Sequence, residues 1–381
     1  MAQTAYAVNP FDTLNVVVHP GAYTNGHVAI DFPVTIRSRD GRGSVTLVST
    51  VVGYSHYDNG TINSAPATES FFYLHADGIV LEGLIFREKS GVKGARAVWA
   101  RSRAEIRDCA IVGWSTPTSC IDGVVGLEAG SVMTRCSVIN CSVNSATGHF
   151  RRGAVFCYNN AFVDECVITN NTAGTSSKTF GSGICATGSG TVTVRDTLVA
   201  KCKTDRLAGY TLASWGGAIT CESAGMNLVL ENVTLADCQD YNGYSVGGLN
   251  IMSAASVACT NSVFYGNSNK NGASDLNLPA SLVSKCEFVN CAFTTAVPAD
   301  LPGSGNVAID TAPFPGGGDY VPQTLPLIDG GTETAASSAT NATDLAGNPR
   351  FYDGGPVDIG CFECHNPAFQ CAIYEPDTDT R

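Results

Sequence analysis

A short pattern of apolar and polar positions recurs along the chain. Residues 106–111 return as residues 133–138, 163–168, 194–199, 230–235, 259–264 and 283–288, and residues 80–85 form an earlier copy without cysteine. The first, fourth and sixth positions are apolar or small, and the others are mostly polar or charged. The fourth and sixth positions follow the period of two of a β-strand, and the extra residue before them predicts a bend.

Acidic and amide side chains occupy the predicted bend. Asp108, Asp196, Asn232 and Asn261 stand there, and Asp and Asn tolerate the left-handed backbone that a tight corner requires. Aligned on the residue after the bend, the copies recur at intervals of 24 to 36 residues, which is typical of a solenoid. Each repeat is therefore predicted to be a coil of short strands.

Two further series complete the predicted coil. Small side chains stand five positions after the aligned residue, at Cys141, Asn171, Cys202, Cys238, Asn267 and Cys291. Glycine-led strands follow at residues 153–157, 183–185, 216–221 and 247–251. Three strands per coil, each stacked on its equivalent in the next coil, predict an all-β parallel β-helix of about eight or nine coils, with roughly 4.8 Å between coils.

Particular segments resemble a known class of proteins. The Gly-Gly-Ala-Ile stretch at 216–219, the segment 288–290 and the recurring Asn/Cys corners resemble the right-handed parallel β-helix repeats of bacterial surface proteins, including chlamydial polymorphic outer-membrane proteins. Residues 344–350 followed by 357–363 are similar to the C-terminal segment of secreted bacterial β-helix proteins of the choice-of-anchor kind. The resemblance implies a right-handed β-helix and a bacterial secreted or cell-surface location, and it implies no particular activity.

We divide the chain into four parts. Residues 1–13 are a lead-in, residues 14–292 the parallel β-helix, residues 293–343 an irregular tail rich in Gly, Pro and Ala, and residues 344–381 the C-terminal segment. The last segment either caps the far end or packs on a side. Residues 1–12 lack the pattern of a signal peptide, which leaves a mature form with an added Met1 or a cytoplasmic product, and the resemblance favours the first.

The first coil also needs a cover. Residues 1–13 hold no amphipathic helical pattern, so they cover that coil irregularly or the coil end pairs with a partner or with another copy.

Charge and hydropathy limit the classes of partner that the protein can bind. A net charge of −12 excludes a nucleic-acid surface, because phosphate binding needs clustered Lys and Arg. No apolar run reaches the roughly 18 residues of a membrane span.

Sixteen cysteines allow disulfides, metal clusters or a buried ladder. We assign eleven of them to three stacked columns: Cys109, Cys136, Cys166 and Cys286; Cys141, Cys202, Cys238 and Cys291; and Cys157, Cys185 and Cys221. A column supplies one sulfur per coil, whereas tetrahedral zinc needs converging ligands, so we expect no metal site and no cofactor. Disulfides are better placed in the tail, at Cys361, Cys364 and Cys371.

The longest variable stretches lie between the second column and the glycine-led strand, at residues 142–152, 172–182, 203–215 and 239–246. Because they occupy the same place in successive coils, we expect them to form one surface. Its candidate ligand-binding residues combine aromatic rings with charges: His149, Arg151, Arg152, Lys178, Asp205, Arg206, Tyr210, Trp215, Tyr241 and Tyr244. Such a set suits a polysaccharide or surface glycan, and simple packing between loops remains the alternative.

Three functions remain open. We predict a binding or structural rod that contacts glycan or another protein through these loops. The runner-up is a polysaccharide-degrading enzyme, more readily a lyase than a hydrolase, because the loops carry Arg and Lys but few carboxylates. Catalytic residues cannot be assigned, since the motifs of the polygalacturonase type are not matched. The third is a filament subunit that associates through open coil ends.

Overall fold

The computed structural model describes residues 14–51, 70–90, 96–116, 123–145, 151–175, 179–206, 216–241, 245–294, 297–334, 337, 342–352 and 355–365. For residues 144, 145, 151, 152, 175, 179, 205 and 206 it describes the backbone alone.

Four parallel sheets, named A to D in the order that the chain visits them within a coil, form the walls of a rod. Among the described residues, sheets A and B have eleven strands each. The strands of sheet A are Leu14–Val18, Val34–Ser38, Val80–Glu82, Glu105–Arg107, Ser131–Thr134, Ala161–Asp164, Ser189–Arg195, Gly225–Glu231, Ser256–Thr260, Cys286–Val289 and Gly303–Ser304. Those of sheet B are Gly21–Asn25, Val45–Ser49, Leu84–Glu88, Ala110–Val112, Ser137–Ile139, Val167–Thr169, Leu198–Ala200, Thr234–Ala236, Val263–Tyr265, Ala292–Phe293 and Val307–Ala308.

Sheets C and D close the coil. Sheet C consists of Ser115–Thr116, Ser142–Ser145, Thr172–Thr175, Lys203–Arg206, Gln239–Asp240, Ser268–Asn269 and Gly272–Ala273, and its last two strands are antiparallel. Sheet D consists of Val28–Ile30, Ser70–Leu74, Arg96–Ala100, Val125–Glu128, Val155–Tyr158, Ile184–Thr187, Ile219–Cys221, Leu249–Ile251 and Leu276–Asn277. A two-stranded sheet joins Arg151–Arg152 to Thr179–Phe180, and a 3-10 helix spans Ala280–Lys285.

The predicted right-handed parallel β-helix is confirmed, and the structure adds detail to it. The middle coils have a fourth short strand, in sheet C, where the sequence predicted the start of a loop. Sheets A and B count eleven strands in the described residues, beyond the expected eight or nine coils. Their last strands end at Ser304 and Ala308, past the expected end of the helix at residue 292.

The corner between sheets A and B follows the predicted bend. Asp108, Asp196, Asn232 and Asn261 have φ angles of 53°, 45°, 52° and 48°. This left-handed conformation turns the chain within one residue, and Asn and Asp adopt it at low cost. The side chains of neighbouring corners are joined along the rod, because Asn232 Nδ2 donates to Asp196 Oδ1 at 3.0 Å and Asn261 Nδ2 donates to Asn232 Oδ1 at 3.1 Å.

The interior of the rod is one continuous apolar core. Strand residues of period two point into it, and Ile106, Met133 and Val163 are fully buried in successive coils of sheet A. Apolar burial of this kind is worth about 25 cal/mol per Å² and is the main source of stability in a solenoid. Like residues stack because parallel strands repeat at roughly 4.8 Å.

The cysteines of the first two columns stack at the corners. The thiols of Cys109, Cys136 and Cys166 donate to carbonyl oxygens of Leu81, Ile106 and Met133, one coil earlier, at 3.5, 3.3 and 3.5 Å. At the second corner the amide of Cys141 donates to Asn171 Oδ1 at 2.9 Å, and the amide of Cys202 donates to Cys238 Sγ at 3.4 Å.

The register corrects three of the eleven column assignments. Cys286 pairs with Val257 inside sheet A, since the 3-10 helix Ala280–Lys285 occupies the place where the phrase was expected to turn. The corner falls instead at Asn290, so Cys291 follows Ser262 in the first column. Cys185 pairs with Phe156, while Cys157 pairs with Ala186, so Cys185 faces outward.

From Ile309 onward the tail packs on a side of the rod rather than on its end. Ile309, Phe314, Tyr320, Leu327 and Ile359 are buried in a cluster of their own. Their partners are the outward-facing side chains of sheet B: Leu198, Ala200, Ala236, Val263 and Ala292. A second, lateral core therefore covers part of sheet B and holds the tail along the rod.

Buried charges fix the tail to the corner between sheets A and B. Arg350 is 1% exposed and forms ion pairs with Asp196 of the rod and, at 2.9 Å, with Glu363 of the tail. It also donates to the carbonyl oxygen of Gly360 at 3.1 Å. One guanidinium thus bridges rod and tail. Because the site is buried, each carboxylate relies on this guanidinium to offset the cost of its own desolvation.

Candidate functional site

Loops leave the rod at the same edge in successive coils. Each connects the end of a sheet C strand to the start of the next sheet D strand, and the described parts of these connections define the loop wall, which comprises residues 123–124, 151–154, 179–183, 216–218, 241 and 245–248. The backbones of two neighbouring loops also pair, Arg151 with Thr179 and Arg152 with Phe180. The rigid coils therefore hold the described parts of these loops in register.

Glycines let the loops return to sheet D. A Cβ on Gly183 would lie 2.6 Å from the carbonyl oxygen of Ala218, and one on Gly248 would lie 2.1 Å from that of Asp275. These distances are far below van der Waals contact, so the backbone of one coil lies directly against the next at this point. The glycine-led strand in the sequence reflects this close approach.

A row of polar side chains runs beside the loop wall on the outer face of sheet C. We call it the polar stripe; it consists of Ser115, Ser142, Thr172, Lys203, Gln239 and Ser268, one residue per coil in direct register. Lys203 and Gln239 are exposed, and Ser142 Oγ donates to Ser115 Oγ at 3.1 Å. The stripe offers hydrogen-bonding groups at the spacing of stacked strands, roughly 4.8 Å.

Tyr241 lies at the edge of the stripe, where the chain leaves sheet C. Its side chain is 49% exposed. Its amide donates to Thr204 Oγ1 at 3.1 Å, and Thr204 donates in turn to the buried carboxylate of Asp240 at 2.6 Å. Thr204 and Asp240 thus hold the backbone at Tyr241 while its ring faces solvent.

Part of the loop wall folds onto sheet D instead of projecting freely. Phe180, which precedes a returning strand, packs with Phe156 and Cys185 on the outer face of that sheet. Phe156 is 3% exposed and Cys185 is fully buried, although both point away from the interior of the rod. Phe180 therefore packs against the rod, as in the alternative in which the aromatic residues of the loops serve packing rather than ligand binding.

Most of the predicted ligand-binding residues lie outside the described residues. This holds for His149, Lys178, Tyr210, Trp215 and Tyr244, and for the side chains of Arg151, Arg152, Asp205 and Arg206, whose backbones form strands. Tyr241 is described and exposed, as expected of a contact residue. Of the set, the structure places only the backbones of Arg151, Arg152, Asp205 and Arg206 and the whole of Tyr241 at this edge of the rod, and joint contact of the set with a ligand stays a prediction.

The polar stripe and the contact between Thr204 and Asp240 were not predicted from the sequence. Residues 203–215 and 239–246 were predicted as loops, although each range begins with a strand of sheet C. The period of two at these positions was the available signal, because Thr116, Val143, Ala173 and Thr204 face inward and are buried.

Three of the buried thiols near the wall stay protonated at neutral pH. Burial raises the pKa of the Cys141, Cys157 and Cys221 thiols to about 12. A thiol with such a pKa carries almost no thiolate near neutral pH, and the thiolate is both the nucleophile and the metal ligand. Within the described residues no three His, Cys, Asp or Glu side chains group as a metal site. Cys371, one of the predicted disulfide partners, lies outside them.

Membrane insertion and self-association are considered only for the described part of the chain. No helix there is long and apolar enough to cross a membrane. Self-association through the first coil stays a prediction, because the lead-in at residues 1–13 lies outside that part.

Comparison with known proteins gives one family and several solved structures. The sequence profile described as "Right handed beta helix region" matches residues 94–293, just over half of the chain. No curated protein sequence matches the chain. The structure is similar to pectate lyase Pel9A, with a TM-score of 0.48, 12% identity, and coverage of 95% of this chain and 91% of that one. It is also similar to the pectin methylesterase from Yersinia enterocolitica, with a TM-score of 0.40, 10% identity, and coverage of 79% and 93%.

Proposed function

The chain belongs to the family of right-handed beta helix proteins, and on this premise we propose that it is a secreted or cell-surface protein that binds an extended glycan or another protein through its loop wall and polar stripe. The observation that carries the proposal is the register of the stripe. Six hydrogen-bonding side chains, from Ser115 to Ser268, repeat along the rod beside loops that leave from the same edge.

The chemistry of the stripe favours a glycan. Sugar hydroxyls both donate and accept hydrogen bonds, and the hydroxyl, amide and ammonium groups of the stripe supply both kinds of partner. The exposed ring of Tyr241 offers an apolar face for stacking against a sugar ring. An extended polymer can contact several coils at once, so that weak contacts add to a useful affinity.

A binding experiment tests this proposal. The full chain is titrated with soluble neutral and uronate-containing polysaccharides, and retardation is followed by affinity electrophoresis. We expect retardation by at least one polysaccharide, and a weakening of about tenfold when Lys203→Ala and Tyr241→Ala are combined. Arg107→Ala, on the outer face of sheet A, is the matched control and should bind as the parent does.

The same samples separate binding from catalysis. A lyase would produce an unsaturated sugar whose absorbance grows with time, and a hydrolase would produce new reducing ends. Retardation without either product supports a binding rod, whereas product formation supports the enzyme alternative. Absence of retardation and of product with every polysaccharide would leave a protein partner as the ligand class, to be tested with the same Lys203 and Tyr241 variants.

A further inference from the structure

A polar cavity of about 250 Å³ lies at the corner between sheets A and B, away from the loop wall. Corner residues of three successive coils, Asp108, Arg135 and Glu165, line it. Arg42 lines a second side, and residues 343–347 of the tail line a third. The cavity is slightly smaller than the roughly 300–1,000 Å³ of pockets for drug-sized molecules, so it suits a smaller ligand.

Gly83, which has no side chain, leaves room for the turn that carries Arg42. The corner column has Gly83 in the coil before Asp108, and a Cβ on Gly83 would lie 3.2 Å from Ser38 Cβ and 3.4 Å from the carbonyl carbon of Gly41. The turn therefore lies over this corner. From there Arg42 reaches down the rod and donates a hydrogen bond to Ser137 Oγ, three coils further along sheet B.

The tail supplies a rigid opposite wall. Asp344 is 2% exposed, and its carboxylate accepts from the amides of Ala346, Asn348 and Glu363 at 2.9, 2.7 and 2.9 Å. These hydrogen bonds hold the loop of residues 344–348 in one shape. The carboxylate of Asp344 thus shapes the wall, and the groups left for a ligand are those of the corner and of Arg42.

Donors and acceptors alternate around the opening. Arg135 holds Asp108 through two hydrogen bonds of 2.8 Å, while its Nη1 is 3.7 Å from Glu165 Oε2, beyond hydrogen-bond distance. Burial raises the pKa of Glu165, and the nearby Asp164 adds to this effect. A guanidinium carries five N–H donors, so Arg42 retains donors besides the one that contacts Ser137.

Apolar side chains complete the lining. Val167 of sheet B and Leu345 of the tail both face the cavity and are partly buried in the lateral core. The cavity therefore combines a small apolar surface with charged groups that donate and accept. A sugar ring has the matching character, with C–H bonds on its faces and hydroxyls on its rim.

We propose that this cavity binds a single sugar ring, with Arg42 and Glu165 on its hydroxyls and Leu345 on its C–H face. The site shares its ligand class with the proposed function but uses none of the residues of the loop wall. Each can therefore fail without the other.

The test uses the full chain and a matched pair of sugars. D-glucose and D-glucuronate differ at carbon 6, and their binding is followed by saturation-transfer NMR and calorimetry. We expect millimolar binding of at least one of them, weakened about tenfold or more by Arg42→Ala and by Glu165→Gln. Arg101→Ala, which removes a partly exposed pair with Glu128 beside sheet D, is the control and should bind like the parent, while Tyr241→Ala reports any sugar bound at the loop wall instead. Thermal unfolding of every variant verifies that the fold is retained.

The outcomes separate cleanly. Binding of glucuronate alone, lost in Arg42→Ala, supports the site and places the carboxylate on that guanidinium. Binding of both sugars, weakened in both cavity variants, supports it with hydroxyl contacts. Absence of binding in the tens of millimolar, or binding unchanged in Arg42→Ala and Glu165→Gln, overturns it. Loss in Tyr241→Ala alone also overturns the cavity site, while it supports the loop wall.

Discussion

Replacing Arg350 with alanine should release the tail from the rod. The guanidinium is 1% exposed and joins Asp196 of the rod to Glu363 of the tail. Above about pH 8, where Glu363 is ionised, removing the guanidinium leaves Glu363 without a cation and Asp196 with Arg195 alone, at 3.4 Å. Breaking a buried pair in this way typically costs about 3–5 kcal/mol. At about 1.4 kcal/mol per factor of ten, the equilibrium constant for opening the tail should rise roughly 100- to 4,000-fold.

Hydrogen exchange followed by mass spectrometry measures this directly, because it resolves local opening from global unfolding. Amides of residues 344–352 and 357–363 should lose protection, while those of sheets A and D keep it. Arg107→Ala is the control: its side chain is 33% exposed and pairs with Glu82 at 2.8 Å, and exposed pairs contribute only about 0–1 kcal/mol. Protection of the tail within about twofold of the parent in Arg350→Ala would refute the reasoning.

Three further predictions concern packing, pH and thiol chemistry. Gly248→Ala should lower the free energy of unfolding, measured by thermal unfolding, by about 2 kcal/mol or more, since its Cβ would lie 2.1 Å from a carbonyl oxygen. Gly26 has open space around it, so the control Gly26→Ala should change the free energy of unfolding by under about 0.5 kcal/mol. Burial raises the pKa of Glu363 from 4.5 to about 8, so the folded protein holds this proton more tightly than the unfolded chain. The protonated Glu363 therefore contributes its full stabilisation below about pH 4.5, and this stabilisation is lost as the pH rises to about 8. The melting temperature should fall less over this pH range in Glu363→Gln than in the parent, and an identical pH dependence in both proteins would contradict the prediction. Iodoacetamide near pH 8 should leave Cys157 and Cys221 unmodified in the folded protein and label them after denaturation, as read by peptide mass spectrometry; rapid labelling of the folded chain would show that these thiols are not buried.

The corners could be predicted because residue type and period agree there. Asp108 and Asn232 interrupt a strand pattern with residues that adopt left-handed backbone, and the structure has φ angles of 53° and 52° at these positions. The register of single cysteines could not be predicted in the same way. A small apolar residue fits either side of a one-residue shift, so Cys185 was assigned to a column that it does not join. Cys286 was misassigned because the 3-10 helix Ala280–Lys285 moves the corner to Asn290, and Cys291 joins the first column instead.

Contacts between distant segments left no periodic trace in the sequence. Arg350 and Asp196 are 154 positions apart, and neither belongs to a motif that names the other. Arg42 reaches Ser137 across 95 positions for a similar reason, because the glycine at position 83 opens the way for its turn. A repeat specifies neighbours one coil away, whereas the tail and the inserted turn depend on side-chain complementarity that only the folded rod reveals.

In the proposed function the loop wall and the polar stripe together contact a ligand. Affinity electrophoresis of the parent chain and of the Lys203→Ala/Tyr241→Ala double variant against the same polysaccharide tests it most directly. We predict that the affinity obtained from the retardation falls about tenfold in the double variant and is unchanged in Arg107→Ala. Equal retardation of all three proteins by a polysaccharide that binds the parent would contradict the claim.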